Sequence, residues 1–272
     1  MTRRYLVICA HPDDADIRFG GTAIKLVRAG HLVKFVSVCN GDCGHFSMSG
    51  PALALRRRQE ADAARAVAGI REYQILDHHD CELEATLPVR REILKIIREF
   101  QPDVVLTHRA CDYHADHRAV ATLVQDASYL MGVPMYMPEV PVPGIQAVFG
   151  YLYDTFTDPR PLRPDAVVPF DDVAEEKCRI LDCHVSQFYE WMAWERKWKA
   201  FDHTKLSWDE KVQYLMEHWG KRFRTAADSA RERLCHIYGP AGNQVRHAEL
   251  FEMSPYGKQV SPEEFQGLFR FD

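Results

Sequence analysis

The residues able to do chemistry concentrate in two short runs. The first, His11-Pro12-Asp13-Asp14, comes directly after an apolar stretch at residues 5–10. The second, His108 followed by Asp112-Tyr113-His114-Ala115-Asp116-His117-Arg118, comes directly after another at residues 102–107. Adjacent carboxylates repel, and a cation or a proton must relieve them. Imidazole nitrogen and carboxylate oxygen are the donors that zinc takes at a catalytic site, usually from three protein ligands with a fourth position open. His11, Asp14 and one histidine of the second run fill that pattern and leave Asp13 free to act as a base. In an open α/β sheet the ends of strands are where ligands bind, so both runs stand where a site would form.

The elements that must position these runs alternate. Strands are expected at 5–9, 32–38, 73–76 and 104–107, and helices at 17–29, 51–67, 87–100 and 117–131. Such alternation means a parallel sheet covered on both faces, with right-handed crossovers. The expected architecture is α/β, a Rossmann-like three-layer sandwich with a mostly parallel sheet. No Gly-x-Gly-x-x-Gly follows the first strand, which argues against a dinucleotide site. The second half is less regular. A loop rich in Pro and Met spans 131–143, strands are expected at 147–153 and 166–168, and Asp171 or Asp172 could cap a helix running to Ser186.

All five tryptophans fall between Trp191 and Trp219. Trp191, Trp194 and Trp198 are spaced as one face of a helix. An aromatic face packed on the core or on another subunit is the commoner meaning of such spacing, and a lid or sugar-stacking wall is the functional one. The whole chain, 1–272, is therefore expected to be one domain with an aromatic-rich helical insertion or lid at 188–235.

The motifs Ala10-His11-Pro12-Asp13-Asp14 and His114-Ala115-Asp116-His117 resemble those of the PIG-L/LmbE-like zinc deacetylases, in the order and at the separation that family shows. The similarity runs through the first half and continues in scattered matches such as Lys177, His184-Val-Ser-Gln187 and His247-Ala-Glu249-Leu-Phe251. The resemblance implies removal of an N-acetyl or related N-acyl group from an amino sugar or its conjugate. It implies a metal, zinc or Fe2+, held by His11, Asp14 and His117, with Asp13 as base. His114 would be the oxyanion donor or the acid for the leaving amine, and Asp116 would orient an imidazole. Arg57, in an Arg-x-x-Glu pattern with Glu60, and Asp80, in Asp77-His-His-Asp80, would contact the sugar. For both, a surface ion pair is the plain alternative. Where the family carries Glu after its second Asp, this chain has Ala15 and then Asp16, which could take up related space one residue on. Asn40-Gly41-Asp42 forms another loop facing the site.

Composition sets the remaining bounds. A chain of 272 residues can bury a sizeable core. A net charge of −5 with no basic stripe argues against nucleic-acid binding, and Arg56-Arg57-Arg58 reads as a solvated helix face. No stretch approaches the roughly 18–20 apolar residues of a membrane span, and the start has no signal-peptide pattern. The eight cysteines form no paired Cys-x-x-Cys units, which suggests a reducing cytoplasm and no structural zinc, with Cys39 and Cys43 near a strand end. The partner is expected to be a small amino-sugar molecule, with a homo-oligomer as the assembly. Two other functions stay open: a metal hydrolase of another amide or ester, including a phosphoesterase, which would want two metals; and a non-catalytic sugar-binding protein, which would have no need of Asp13.

Overall fold

A computed structural model describes residues 1–198 and 202–271. Seven strands run β1 (Arg4–Cys9), β2 (Leu32–Cys39), β3 (Glu72–His78), β4 (Val104–Thr107), β5 (Val148–Leu152), β6 (Ala166–Pro169) and β7 (Ala248–Gly257). They form one sheet in the order β3-β2-β1-β4-β5-β7-β6. The strands β1 to β5 pair in parallel, and β7 pairs antiparallel with both β5 and β6. The sheet is thus mostly parallel, as its apolar, two-faced strands demand.

Alternation along β1 divides the core. Tyr5, Val7 and Cys9 pack with α1 (Asp14–Arg28), α2 (Gly50–Ala68) and α5 (Ala174–Cys183) on one face. Leu6, Ile8 and Ala10 pack with α3 (Leu87–Phe100) and α4 (Ala115–Leu130) on the other. Three layers result. The chain leaves β1 outward to β2 and β3, then returns to place β4 on the opposite side of β1. That reversal opens a crevice at the carboxyl ends of β1 and β4, and both chemical runs emerge there.

Several expectations are corrected. Helix α4 begins at Ala115 rather than at 117, because His114 caps it with its ring. The helix expected to run from a cap at Asp171 or Asp172 to Ser186 is shorter: a 3-10 turn at Asp171–Val173 leads into α5, which ends at Cys183. A wider turn at Ser186–Trp191 follows, then α6 (Met192–Glu195). Lys197 adopts φ +54° and turns the chain. Trp198 consequently leaves the face shared by Trp191 and Trp194, whose rings stack at 5.4 Å, and stacks on His218 at 3.7 Å. Helices α7 (Trp208–His218), α8 (Gly220–Ser229) and α9 (Arg231–Tyr238) complete the aromatic-rich region, and α10 (Pro262–Gly267) lies near the C-terminus. Trp219 is buried against Phe188, whereas Trp194 is exposed and stacked on Phe46.

Strand β7 stands where the sequence suggested only scattered family matches. Its Glu249 is fully engaged: it pairs with Lys177 and accepts from the amides of Gly21 and Thr22. Lys177 also donates to the Ile17 carbonyl and lies over the rings of Phe170 and Phe223. The buried pair inserts beside the α1 backbone at residues 17–22. A Cβ at Gly21 would stand 2.8 Å from Phe170, so glycine is what lets α1 sit this close. Among the described residues no helix is long and apolar enough to cross a membrane.

Candidate active site

His11 lies on the turn between β1 and α1, where Asp13 and Asp14 receive the helix's N-terminal dipole, a favourable place for carboxylates. His117 lies in the first turn of α4. Three donor atoms converge between them. His11 Nδ1 is 3.4 Å from Asp14 Oδ2, His117 Nε2 is 3.3 Å from the same oxygen, and the two nitrogens are 3.2 Å apart. Tetrahedral zinc with bonds near 2.0–2.1 Å would separate its ligands by about 3.3–3.4 Å. The triangle therefore fits a metal ion: lone pairs and a carboxylate face each other, with a cation or protons to separate them.

The carboxylates behind each ring set which lone pair is free. His11 Nε2 faces Asp80 Oδ1 at 3.0 Å and Asp116 Oδ2 at 3.1 Å. These carboxylates take the Nε2 proton and leave Nδ1 facing the triangle. His117 Nδ1 faces Asp112 Oδ1 at 3.0 Å, which leaves Nε2 facing inward in the same way. A carboxylate behind a metal-facing imidazole is the usual support of such ligands. Asp112 is itself held by Arg18 and the His114 amide. Burial pulls down the pKa of His11, but Asp116, Asp14 and Asp80 together hold it well above the ordinary value.

The other two histidines are disposed differently. His108 accepts from the Ala10 amide through Nε2 at 3.1 Å and stacks on His117 at 4.0 Å. The same Nε2 lies 3.5 Å from Asp14 Oδ2, and burial with neighbouring His117 drives the ring's pKa down to about 3. His114 accepts from the Asp116 amide through Nδ1 at 3.2 Å, so its proton resides on Nε2. Burial, His11 and His117 lower its pKa, which keeps the ring neutral. Its ring meets that of His11 edge-on at 4.7 Å. His11, His114 and His117 also form one of the donor clusters close enough to hold a metal, as do His11, Asp80, His114 and Asp116, and Asp14, His108 and His117.

Asp13 stands outside the triangle, buried, with Oδ1 3.3 Å from Arg57 Nη2. Burial raises its pKa against the pull of Arg57. Arg57 is no surface ion pair: it is buried, donates to the Pro12 carbonyl, and lies 3.8 Å from Asp80. Asp80 is buried too, its oxygens facing His11 and the Gly44 amide. Gly41 has φ +76°, and a Cβ there would stand 2.7 Å from Arg57. Glycine in the Asn40-Gly41-Asp42 loop is thus what lets the guanidinium in. Asp42 accepts from the Asp80 amide, which ties this loop to the one after β3. Cys39 does approach the site, with Sγ 3.6 Å from Asp116 Oδ2, and burial pushes its thiol up.

Residues beyond those anticipated complete the site. Asp112 belongs to the second run but had no role assigned; its spacing five residues before His117 was the available signal. Asp16 is buried between His184 Nε2 at 3.0 Å and the Tyr73 hydroxyl at 2.9 Å. It points away from the triangle and ties α1 to the turn after α5.

Residues 6–128 match the family model described as GlcNAc-PI de-N-acetylase. Diacetylchitobiose deacetylase of Thermococcus kodakarensis is 34% identical over 205 residues, covering 71% of this chain and 74% of that protein. The chain belongs to the PIG-L family. Its fold agrees with other solved structures. N,N'-diacetylchitobiose deacetylase from Pyrococcus horikoshii, in complex with an inhibitor, superposes with a TM-score of 0.70 at 25% identity, covering 93% of this chain and 84% of that one. GalB, the 4-carboxy-2-hydroxymuconate hydratase of Pseudomonas putida, superposes with a TM-score of 0.73 at 19% identity, covering 96% and 98%. At that identity the hydratase attests the fold alone. The PIG-L match spans β1 through α4 almost completely, the part that carries both chemical runs.

Proposed function

We propose that this chain is a zinc-dependent N-deacetylase of amino-sugar conjugates. The observation that carries the reading is the triangle of His11 Nδ1, Asp14 Oδ2 and His117 Nε2, with edges of 3.2–3.4 Å and Asp13 beside it unused as a donor. Kinship with the diacetylchitobiose deacetylases supports acetamido sugars as the substrate class.

Zinc held by His11, Asp14 and His117 would supply Lewis-acid chemistry and lower the pKa of water from 15.7 to about 7. Asp13 takes the proton from the attacking water; burial raises its pKa, the direction that makes a carboxylate a stronger base. Arg57 holds the Asp13 carboxylate in place and lines the sugar side with Asp80. The neutral ring of His114 turns Nε2–H toward the oxyanion that develops on the acetamide carbonyl, and a preorganised donor there is worth about 10²–10³ in rate. Asp13 then returns its proton to the departing amine as the C–N bond breaks, so one water and one amide become acetate and a free amino sugar. Asp116 and Asp112 act through the rings they orient.

Amine release from a panel of N-acetylglucosamine derivatives tests this. Release should vanish on chelation, return with zinc, and be lost in Asp13→Ala while bound metal remains. Iron is distinguished by metal analysis of protein purified without added metal. A protein that binds no metal after careful loading sinks the mechanism. Full metal occupancy with no release from any panel member redirects the assignment to another amide or to a binding role.

A further inference from the structure

Helix α8, in the aromatic-rich region, delivers a cation to the ligand-binding end of the sheet. Arg222 Nη2 donates to the carbonyl of Tyr153, the residue after β5, at 3.4 Å. Arg18 Nη1 donates to the same oxygen at 3.2 Å. Two guanidinium groups therefore meet on one neutral acceptor. Arg18 is balanced by Asp112 at 3.4 Å. Arg222 makes no ion pair among the described residues, and the Tyr153 carbonyl is its hydrogen-bond partner. Asp154, the neighbouring carboxylate, is held by both nitrogens of the Arg109 fork. Asp14, also within electrostatic reach of Arg222, faces the metal triangle. Arg222 is half-buried, so it is partly desolvated yet reachable from solvent. Burial first, and then Arg18, pull its pKa down to about 10, the direction expected of a cation short of a counter-ion. Like charges brought together in a partly dry place cost free energy that an anion would recover.

We propose that Arg222 and Arg18 form a subsite for an oxyanion, a carboxylate or a phosphate, carried by the conjugated portion of the substrate. The proposal rests on the deacetylase reading and narrows it: acidic glucosaminides would be favoured over neutral ones of the same size. Arginine's planar fork suits either oxyanion. Arg222 is the selecting residue, because Arg18 is already committed to Asp112.

The test compares metal-loaded wild type, Arg222→Gln and Arg222→Lys on three substrates. These are an N-acetylglucosaminide of a hydroxy-dicarboxylic acid, N-acetylglucosamine 1-phosphate, and a neutral N-acetylglucosaminide of matched size. Wild type should prefer one acidic substrate, and the more sensitive one names the oxyanion. Arg222→Gln should reduce the acidic-to-neutral ratio of kcat/KM by about 10- to 100-fold, the size of one charge-assisted hydrogen bond. The loss should appear in KM, and Arg222→Lys should restore part of it. A ratio that is the same in wild type and Arg222→Gln overturns the proposal. If wild type hydrolyses none of the three, the deacetylase reading is at fault, and calorimetric titration with succinate and inorganic phosphate decides the subsite separately. Binding that weakens in Arg222→Gln supports it, and binding that is absent or unchanged overturns it.

Discussion

Three histidines stand after the second apolar strand, and the polar group behind each ring separates their roles. The amide of Ala10 occupies His108, the amide of Asp116 occupies His114, and the carboxylate of Asp112 frees His117 Nε2. His117→Ala should therefore abolish metal binding, whereas His114→Ala should keep the metal and lower kcat by about 10²–10³; metal content and kcat measured on the same preparations check both. Asp112→Asn should weaken metal affinity by about 10–100-fold, since a supporting carboxylate is lost, as read by competition with a chelator. His11 and His117 both have raised pKa values, because nearby carboxylates outweigh burial. Their protons must leave for the metal to enter. Affinity should fall as pH drops through these raised pKa values, so from above the ordinary histidine range downward, and metal uptake should release protons; titration in a weakly buffered solution measures both, and a pH-independent affinity would contradict this ligand set.

At the scale of elements, α1 is the member that everything else locates. Asp14 and Arg18 stand on it, and the Lys177–Glu249 pair clamps its middle to α5 and β7. Lys177→Ala leaves Glu249 buried without a cation. Removing one partner of a buried pair costs about 3–5 kcal/mol, so denaturant unfolding should show a loss of that order. A loss below about 1 kcal/mol would contradict a clamping role for this buried pair. Gly41→Ala should act on function instead. The residue would have to adopt φ +76° and its Cβ would meet Arg57, displacing the guanidinium from Asp13. A fall in kcat with metal content unchanged is the expected result.

For the whole molecule, the site is a junction of distant parts. The loops after β1, β3 and β4 supply the triangle and its supporting carboxylates, and α8 reaches the same end of the sheet with Arg222. A metal that binds only the folded arrangement stabilises it by mass action, about 2.7 kcal/mol at a hundredfold excess over Kd. Calorimetric melting with chelator and then with zinc should show a rise of several degrees on zinc return. Equal melting temperatures would place the metal outside the fold's cooperative core.

The sequence by itself determined the two metal-competent runs, the alternation of strands and helices through residue 130, and hence the layered sheet with chemistry at its strand ends. These were legible because they are local: each run follows its own strand directly, and period and apolar content reveal the strand. It also pointed to the family, since the two motifs are specific together. Only the tertiary structure decided which histidine lone pair is free, because Ala10 meets His108 and Asp80 meets His11 by way of the sheet's topology; Asp112, five residues before His117, is the local exception. The same holds for β7, whose charged Glu249 and Glu252 are buried against partners far away in sequence and so mask a strand's usual apolar signature. It holds as well for Arg57, buried through a glycine in another loop, and for Arg222, whose meeting with Arg18 depends on how α8 packs against β7. Hydrogen-bond direction and charge balance are properties of contacts between remote segments, and a sequence states contacts only where they are local.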